Sequence, residues 1–128
     1  MIETRWAVGA ISLESSERAP AIARNWLGRV FRKRLLGDDY VGRVVVTELV
    51  TNVLKHTKTE TFVVRLLLDG GCPVVEVEDG SDQVPVVRDE GDTAESGRGL
   101  LMMSMLVQDW GVRPLANGGK VTWARLDK

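Results

Sequence analysis

The sequence predicts an α+β fold, a two-layer sandwich in which a mostly antiparallel mixed sheet carries about three helices on one face. Apolar residues recur at helical spacing in two long segments of the N-terminal half. Short apolar segments fill much of the remaining chain, and glycine-containing turns join them in pairs, which is typical of strand hairpins. Because the helices are few and most strands form hairpins, an antiparallel sheet is favoured over a parallel one.

One strand and two helices are predicted for the N-terminal half. The segment "RWAVGAIS" is short and mostly apolar, as in a strand. Residues 15–37 follow with apolar residues at helical spacing, and Ser16 is a candidate N-cap for this first helix. Residues 38–57, "DDYVGRVVVTELVTNVLKHT", form the second helix, whose N-terminus Asp38 or Asp39 can cap.

The C-terminal half is predicted to contain two hairpins and one helix. The strands "TFVVRLLLDGG" and "CPVVEVEDG" are joined by a turn at residues 69–71. Residues 81–96 are polar and acidic, and a loop of this length inside a compact domain is usually functional or mobile. A third helix, "GRGLLMMSMLVQD", is entered through glycines, and "WGVRPLA" and "KVTWARLD" form the closing hairpin around residues 117–119.

Composition limits the classes of function. The 128 residues fit one domain, 1–128, and the formal net charge of −1 gives no general attraction to nucleic acid or to an anionic membrane. The single cysteine excludes an internal disulfide and favours a reducing compartment. No segment is apolar for long enough to span a bilayer, and the N-terminus does not resemble a signal peptide. We therefore expect a cytoplasmic protein with no direct nucleic-acid or membrane partner.

A polar stripe runs along the margin of the second helix. Glu48, Asn52 and His56 recur at every fourth residue, which places them on one side of a helix that turns about 100° per residue. Leu49 and Val53 continue the apolar face beside them. The stripe therefore lies at the border between core and surface, where the wall of a cleft would be. A polar helix edge with accidental spacing would give the same pattern, so both interpretations stay open.

Two further segments combine glycine with a group that can bind a ligand. In "VEVEDGS", Asp79 ends a strand and Gly80 follows, so that a carboxylate can accept a hydrogen bond from an amino group while a flat ring approaches the backbone. In "ESGRGLLMM", Gly97 and Gly99 flank Arg98 before a helix, whose free amides can bind phosphate oxygens. Taken singly, these two segments are better explained as an ordinary turn and an ordinary helix entry.

The order and spacing of the three segments resemble the GHKL ATPase superfamily and its Bergerat fold, also known as the histidine-kinase-like ATPase fold. The residues that carry the resemblance are Glu48-x-x-x-Asn52 as its N box, Asp79-Gly80-Ser81 as its first glycine box, and Gly97-Arg98-Gly99-Leu100 as its second. The closing "GGKVTWARL" resembles the last strand pair of the same fold. Within the superfamily, the chain is most similar to the small single-domain anti-sigma-factor serine/threonine kinases.

This resemblance implies a role for each residue. Asp79 would accept a hydrogen bond from the amino group of adenine, and Asn52 would offer its carbonyl oxygen to Mg²⁺. Gly97 and Gly99 would let main-chain amides reach the phosphates of ATP or ADP. Glu48 would orient or deprotonate the attacking hydroxyl.

Other roles follow from the same resemblance. Gly80 and Leu100 belong to the implied cofactor-binding boxes, and residues 82–96 would form a short lid over the nucleotide. Arg98 would face a phosphate or a partner protein, and His56 would touch phosphate or simply close its helix. The last strand of the family often presents a threonine hydroxyl to the nucleotide, and the sequence leaves the register of Thr122 open.

The implied function is a Mg²⁺-ATP-dependent serine/threonine protein kinase that phosphorylates a STAS-type anti-sigma-factor antagonist, sequesters a sigma factor, and can form a homodimer. The alternative is a nucleotide-dependent partner-switching module without kinase activity, which the serine at position 81 in place of a glycine favours. A third alternative is an α+β domain that binds no nucleotide. A histidine kinase is not expected, because the only histidine lies within the N box.

Overall fold

An antiparallel sheet and three helices form the two layers of the part of the protein that the structure describes, residues 5–81 and 98–128 of a computed structural model. The elements follow in the order β1 (Arg5–Glu14), α1 (Ala19–Lys33), α2 (Tyr40–His56), β2 (Thr61–Asp69), β3 (Cys72–Asp79), α3 (Arg98–Leu106), β4 (Asp109–Pro114) and β5 (Lys120–Arg125). The predicted α+β class and the predicted order of elements are confirmed. The loop and the lid predicted for residues 82–96 lie outside the described residues.

The sheet has the strand order β1-β2-β3-β5-β4. All pairings between these described strands are antiparallel, so the mixed character that was predicted is not seen among them. The central strand β3 therefore lies between β2, its hairpin partner, and β5, the last strand of the chain. This pairing places Asp79, the last residue of β3, opposite Lys120, the first residue of β5.

The starts of the first two helices depend on different residues. The prediction that Ser16 caps α1 is wrong, because α1 begins at Ala19 with Arg18 in the cap position and no side-chain cap bond. Pro20, which lacks an amide hydrogen, fits only in the first turn, and this requires the helix to begin later in the chain. At α2 the cap position is held by Asp39, which also makes no side-chain cap bond, and the preceding Asp38 carboxylate accepts a hydrogen bond from the Tyr40 amide at 2.8 Å.

The core lies between the helices and one face of the sheet. Its strand residues alternate with outward-facing ones, and they are buried together with apolar residues of all three helices. On the opposite face of β3, the Glu76 carboxylate is paired with Arg5, Arg65 and Arg113. The helices therefore cover one face only, as predicted. The helix α2 packs on the core through its buried residues Val45, Leu49 and Val53, so its polar stripe lies at the edge of the core.

Candidate functional site

The polar stripe of α2 lies at the rim of a cleft. Glu48, Asn52 and His56 are all half-buried, while Leu49 and Val53 between them are buried. The amide nitrogen Nδ2 of Asn52 donates a hydrogen bond to the main-chain oxygen of Glu48 at 2.8 Å. Because this bond fixes the orientation of the amide, the carbonyl oxygen of Asn52 is the atom that remains for a ligand.

Asp79 is the most deeply buried charged group of the site. Its side chain is 1% exposed, and its Oδ1 atom accepts hydrogen bonds from the Ser81 amide at 2.8 Å and from the Lys120 ammonium at 3.0 Å. The bond to Ser81 closes the turn that ends β3. The other oxygen, Oδ2, is buried and has no hydrogen-bond partner among the described residues. A buried acceptor without a donor is unfavourable by about 1–3 kcal/mol, so this atom is suited to a donor on a bound molecule.

The cleft joins α2, the end of β3, the start of β5 and the first turn of α3. The cleft is narrow in this structure, with about 10 Å³ of space for the centre of a water-sized sphere, roughly what one water molecule needs, so a larger ligand would have to displace the lining side chains. Its lining residues are Leu49, Asn52, Val53, His56, Thr57, Asp79, Leu100, Lys120 and Thr122. Most of the exposed surface in the cleft is apolar, although six of the nine lining residues have polar side chains.

The N-terminal turn of α3 lies directly against Glu48. Gly99 is the second residue of this helix, and a β-carbon added to it would overlap the Oε2 atom of Glu48. A residue larger than glycine would therefore require the Glu48 side chain to turn away from α3. The structure thus brings together the first segment and the third segment that the sequence singled out.

We expect Gly99→Ala to turn the Glu48 carboxylate away from α3 and to change the free energy of unfolding by at most about 1 kcal/mol, because the atom in the way is the free end of a flexible side chain. Thermal and urea unfolding of the purified protein measure this change. Gly80→Ala is the matched control, since its β-carbon would meet only Thr59 Oγ1 at an ordinary 3.5 Å. A loss of several kcal/mol in Gly99→Ala alone would show that the Glu48 carboxylate cannot turn away from α3.

Of the other predicted site residues, some line the cleft and some lie elsewhere or outside the described residues. Leu100 is buried and lines the cleft, as does His56 at the end of α2. Gly80 follows Asp79 but is exposed, and it lines a separate shallow depression that Asn117 borders. Arg98 begins α3, and Gly97 lies outside the described residues.

Sequence reasoning missed Lys120 and Thr57 as lining residues of the cleft and left Thr122 undecided. Lys120, Thr122 and Ala124 lie on the same face of β5 because successive side chains of a strand point to opposite faces. Thr122 lies opposite Val77, so its side chain faces the cleft, and the open question of its register is resolved. The alternation of side chains along β5 can be predicted from the sequence. Because lysine is rarely buried, however, Lys120 was not predicted to line a cleft.

A second, open cleft lies on the other side of α2, between this helix and α1. It encloses about 680 Å³ with its open side, and its lining residues are Arg24, Tyr40, Arg43, Val44, Thr47 and Glu48. An Arg24 guanidinium nitrogen donates a hydrogen bond to Thr47 Oγ1 at 3.4 Å. Glu48 lines this second cleft but not the first, which Asn52, the next residue of the polar stripe, lines.

The described residues offer oxygen and amide ligands but no preformed cluster for a metal ion. No group of three or more His, Cys, Asp or Glu side chains that could hold a metal occurs in the described ranges 5–81 and 98–128. A metal bound near Asn52 would therefore need most of its ligands from a bound molecule and water, which is the habit of Mg²⁺. Within the same ranges, no helix combines the length and the apolar character that crossing a membrane requires.

Comparisons with known proteins identify a protein family and a similar solved structure. A family model described as a histidine kinase-like ATPase domain matches residues 13–126. Among solved structures, the chain is similar to the crystal structure of the RsbU and RsbW domains of Rv1364c from Mycobacterium tuberculosis, with a TM-score of 0.60 and 19% identity. The similarity covers 92% of this chain and 32% of that one, so this chain spans about a third of its length. No curated protein matches the sequence.

Proposed function

Because the chain belongs to the histidine kinase-like ATPase domain family, we propose that it binds Mg²⁺-ATP and transfers the γ-phosphate to a serine or threonine of a partner protein. The membership confirms the resemblance to the GHKL superfamily, and an ATPase domain is by definition a nucleotide-binding one. The observation that carries the proposal is the buried Asp79 carboxylate, whose Oδ2 atom has no donor among the residues that the structure describes and lies at the wall of a mostly apolar cleft.

In the proposed complex, the base of the nucleotide lies in the cleft. Oδ2 of Asp79 accepts a hydrogen bond from the exocyclic amino group, an interaction with a charged acceptor that contributes about 1.5–3 kcal/mol. Leu49, Val53 and Leu100 give the apolar surface on which the ring packs. The turn after Asp79 holds the carboxylate in place through the Ser81 amide.

The phosphates and Mg²⁺ would be held where α2 meets α3. The carbonyl oxygen of Asn52 is the protein ligand that fits Mg²⁺, because its amide nitrogen is already bound to the Glu48 main chain. The ion, when bound, neutralises charge on the phosphate oxygens. The N-terminus of α3 offers main-chain amides to these oxygens. The contact of Gly99 with Glu48 places these amides next to the Glu48 carboxylate.

Glu48 is the proposed general base. Its carboxylate lies beside the N-terminal turn of α3 on one side and borders the second cleft on the other. A serine or threonine hydroxyl entering from the second cleft would meet the carboxylate before it met the nucleotide. There Glu48 would accept the hydroxyl proton as the oxygen attacks the γ-phosphorus and the bond to the β,γ-bridging oxygen breaks.

The proposed partners are a STAS-type anti-sigma-factor antagonist, as the phosphate acceptor, and a sigma factor, with the protein acting in the cytoplasm and able to form a homodimer. The likeness of the three sequence boxes to anti-sigma-factor kinases supports this choice. The similar structure contains an RsbW domain, but at 19% identity this likeness concerns the fold alone. Labelled-ATP assays on antagonist-type proteins distinguish the kinase from the alternative, a switching module without transfer.

Calorimetric titration with Mg²⁺-ADP tests the proposed site directly. We expect the wild type to bind Mg²⁺-ADP, and we expect Asn52→Ala to lose the part of the affinity that depends on Mg²⁺, because the variant lacks the metal ligand. Excess EDTA should therefore weaken binding by the wild type and leave binding by Asn52→Ala nearly unchanged. Lys55→Ala, an exposed change on the same helix, is the control. No heat from the folded wild type would overturn the proposed function.

A further inference from the structure

Lys120 is a buried cation in the base cleft, the cleft between α2 and the ends of β3 and β5 that is proposed to bind the nucleotide base. The proposed mechanism assigns no role to it. Its side chain is only 4% exposed, although lysine is one of the residues least often buried. Its ammonium group has three hydrogen-bond donors. One is directed to Asp79 Oδ1 at 3.0 Å, and a second makes a long contact of 3.4 Å with the main-chain oxygen of Ser81. No acceptor for the third is found among the described residues.

The backbone holds this ammonium beside the Asp79 carboxylate. Lys120 and Asp79 are direct partners in the pairing of β3 with β5. Gly119, the residue before Lys120, lies so close that an added β-carbon would be 2.5 Å from the main-chain oxygen of Asp79. The pairing of β5 with β3 therefore places Lys120 next to Asp79 on the same face of the sheet.

Burial of a lysine is unfavourable unless the charge is paired and its hydrogen bonds are made. The charge of Lys120 is paired, because its ammonium group contacts Asp79 Oδ1. Its hydrogen bonds are not all made within the described residues, because one donor has no acceptor there. The pair thus presents two unused groups to one cleft, the acceptor Oδ2 of Asp79 and a donor on the nitrogen of Lys120. A ligand edge with a donor next to an acceptor would satisfy both.

We propose that Lys120 is a second base-binding residue, which donates a hydrogen bond to the ring nitrogen N1 of adenine while Asp79 accepts one from the adjacent 6-amino group. The proposal rests on the proposed function, since it concerns the nucleotide of the same cleft. Adenine carries this donor and this acceptor on neighbouring atoms of one edge. The Asp79–Lys120 pair would therefore hold this edge of adenine by two hydrogen bonds, where Asp79 alone would make one.

Nucleotide analogues test the proposal on the unaltered protein. ADP and 1-deaza-ADP, in which a C–H group replaces N1, are titrated calorimetrically into the wild-type protein with Mg²⁺. We expect 1-deaza-ADP to bind roughly 10- to 100-fold more weakly, the effect of one hydrogen bond to a charged donor. Equal affinities for the two nucleotides would overturn the proposal. Absence of ADP binding by the folded protein would instead overturn the proposed function.

Two variants assign the effect to a residue. Thr122→Val removes the other side-chain donor that β5 directs into the cleft, and it should keep the full preference for ADP over 1-deaza-ADP. Lys120→Met should bind both nucleotides equally, with circular dichroism showing that the variant is folded. Lys120→Gln, which keeps a neutral donor, should retain part of the preference. Loss of the preference in Thr122→Val would overturn the assignment to Lys120, whether or not the Lys120 variants fold.

Discussion

Glu48→Gln is expected to lower the rate of phosphate transfer by about 10²–10⁴-fold while leaving the affinity for Mg²⁺-ADP unchanged. Glutamine has nearly the shape of glutamate, so the contact with Gly99 is retained and the protein folds normally. It cannot accept the proton of the attacking hydroxyl. The effect should therefore fall on the chemical step alone. Transfer of labelled γ-phosphate to the antagonist-type protein measures the rate, and calorimetry measures the affinity.

A matched control for this result is Glu60→Gln, an equally conservative change of an exposed glutamate that precedes β2. It should transfer phosphate at the wild-type rate. Transfer by Glu48→Gln at the wild-type rate would show that the carboxylate is not the general base. Absence of transfer by the wild type to every antagonist-type protein of the same genome would favour the partner-switching module instead.

Asp79→Asn has the second largest expected effect, because it acts on both binding and stability. The variant loses the charged acceptor for the 6-amino group, which should weaken ADP binding by roughly 10- to 100-fold. It also leaves the Lys120 ammonium buried without its carboxylate. Removing one partner of a buried ion pair typically costs about 3–5 kcal/mol of the free energy of unfolding. Calorimetric titration and urea unfolding measure the two effects separately.

Asp69→Asn makes the same chemical change in a solvated ion pair and serves as the control. Its carboxylate pairs with Arg125 at 2.7 Å, but the two side chains are 34% and 27% exposed. Such a pair contributes at most about 1 kcal/mol, and the residue does not line the base cleft. Wild-type ADP affinity in Asp79→Asn would refute the role of Asp79 in base recognition.

Much of the fold could be predicted because its signals are local. The helical spacing of apolar residues located α2, and the glycine turns located the hairpins of β2 with β3 and of β4 with β5. The stripe of Glu48, Asn52 and His56 was placed at the edge of the core for the same reason. An alternating or helical pattern depends on neighbours in the chain, and the sequence shows those directly.

The features that the sequence did not show all depend on residues far apart in the chain. The burial of Lys120 follows from the pairing of β5 with β3, which no local pattern specifies. The contact of Gly99 with Glu48 likewise needs α3 to be docked on α2. The wrong prediction that Ser16 caps α1 has a different cause. Serine is common at helix starts, but Pro20 fits only in the first turn, so the helix begins later in the chain, at Ala19.

The separation of the two clefts, with Asn52 lining the first and Glu48 the second, has a consequence for the kinetic scheme of the proposed reaction. The base cleft and the cleft lined by Arg24, Tyr40 and Arg43 open on different sides of α2. Neither substrate has to leave before the other arrives, so both can be present in one ternary complex. Direct in-line transfer then needs no phosphorylated form of the enzyme, and the acceptor protein can dissociate while the spent nucleotide stays bound.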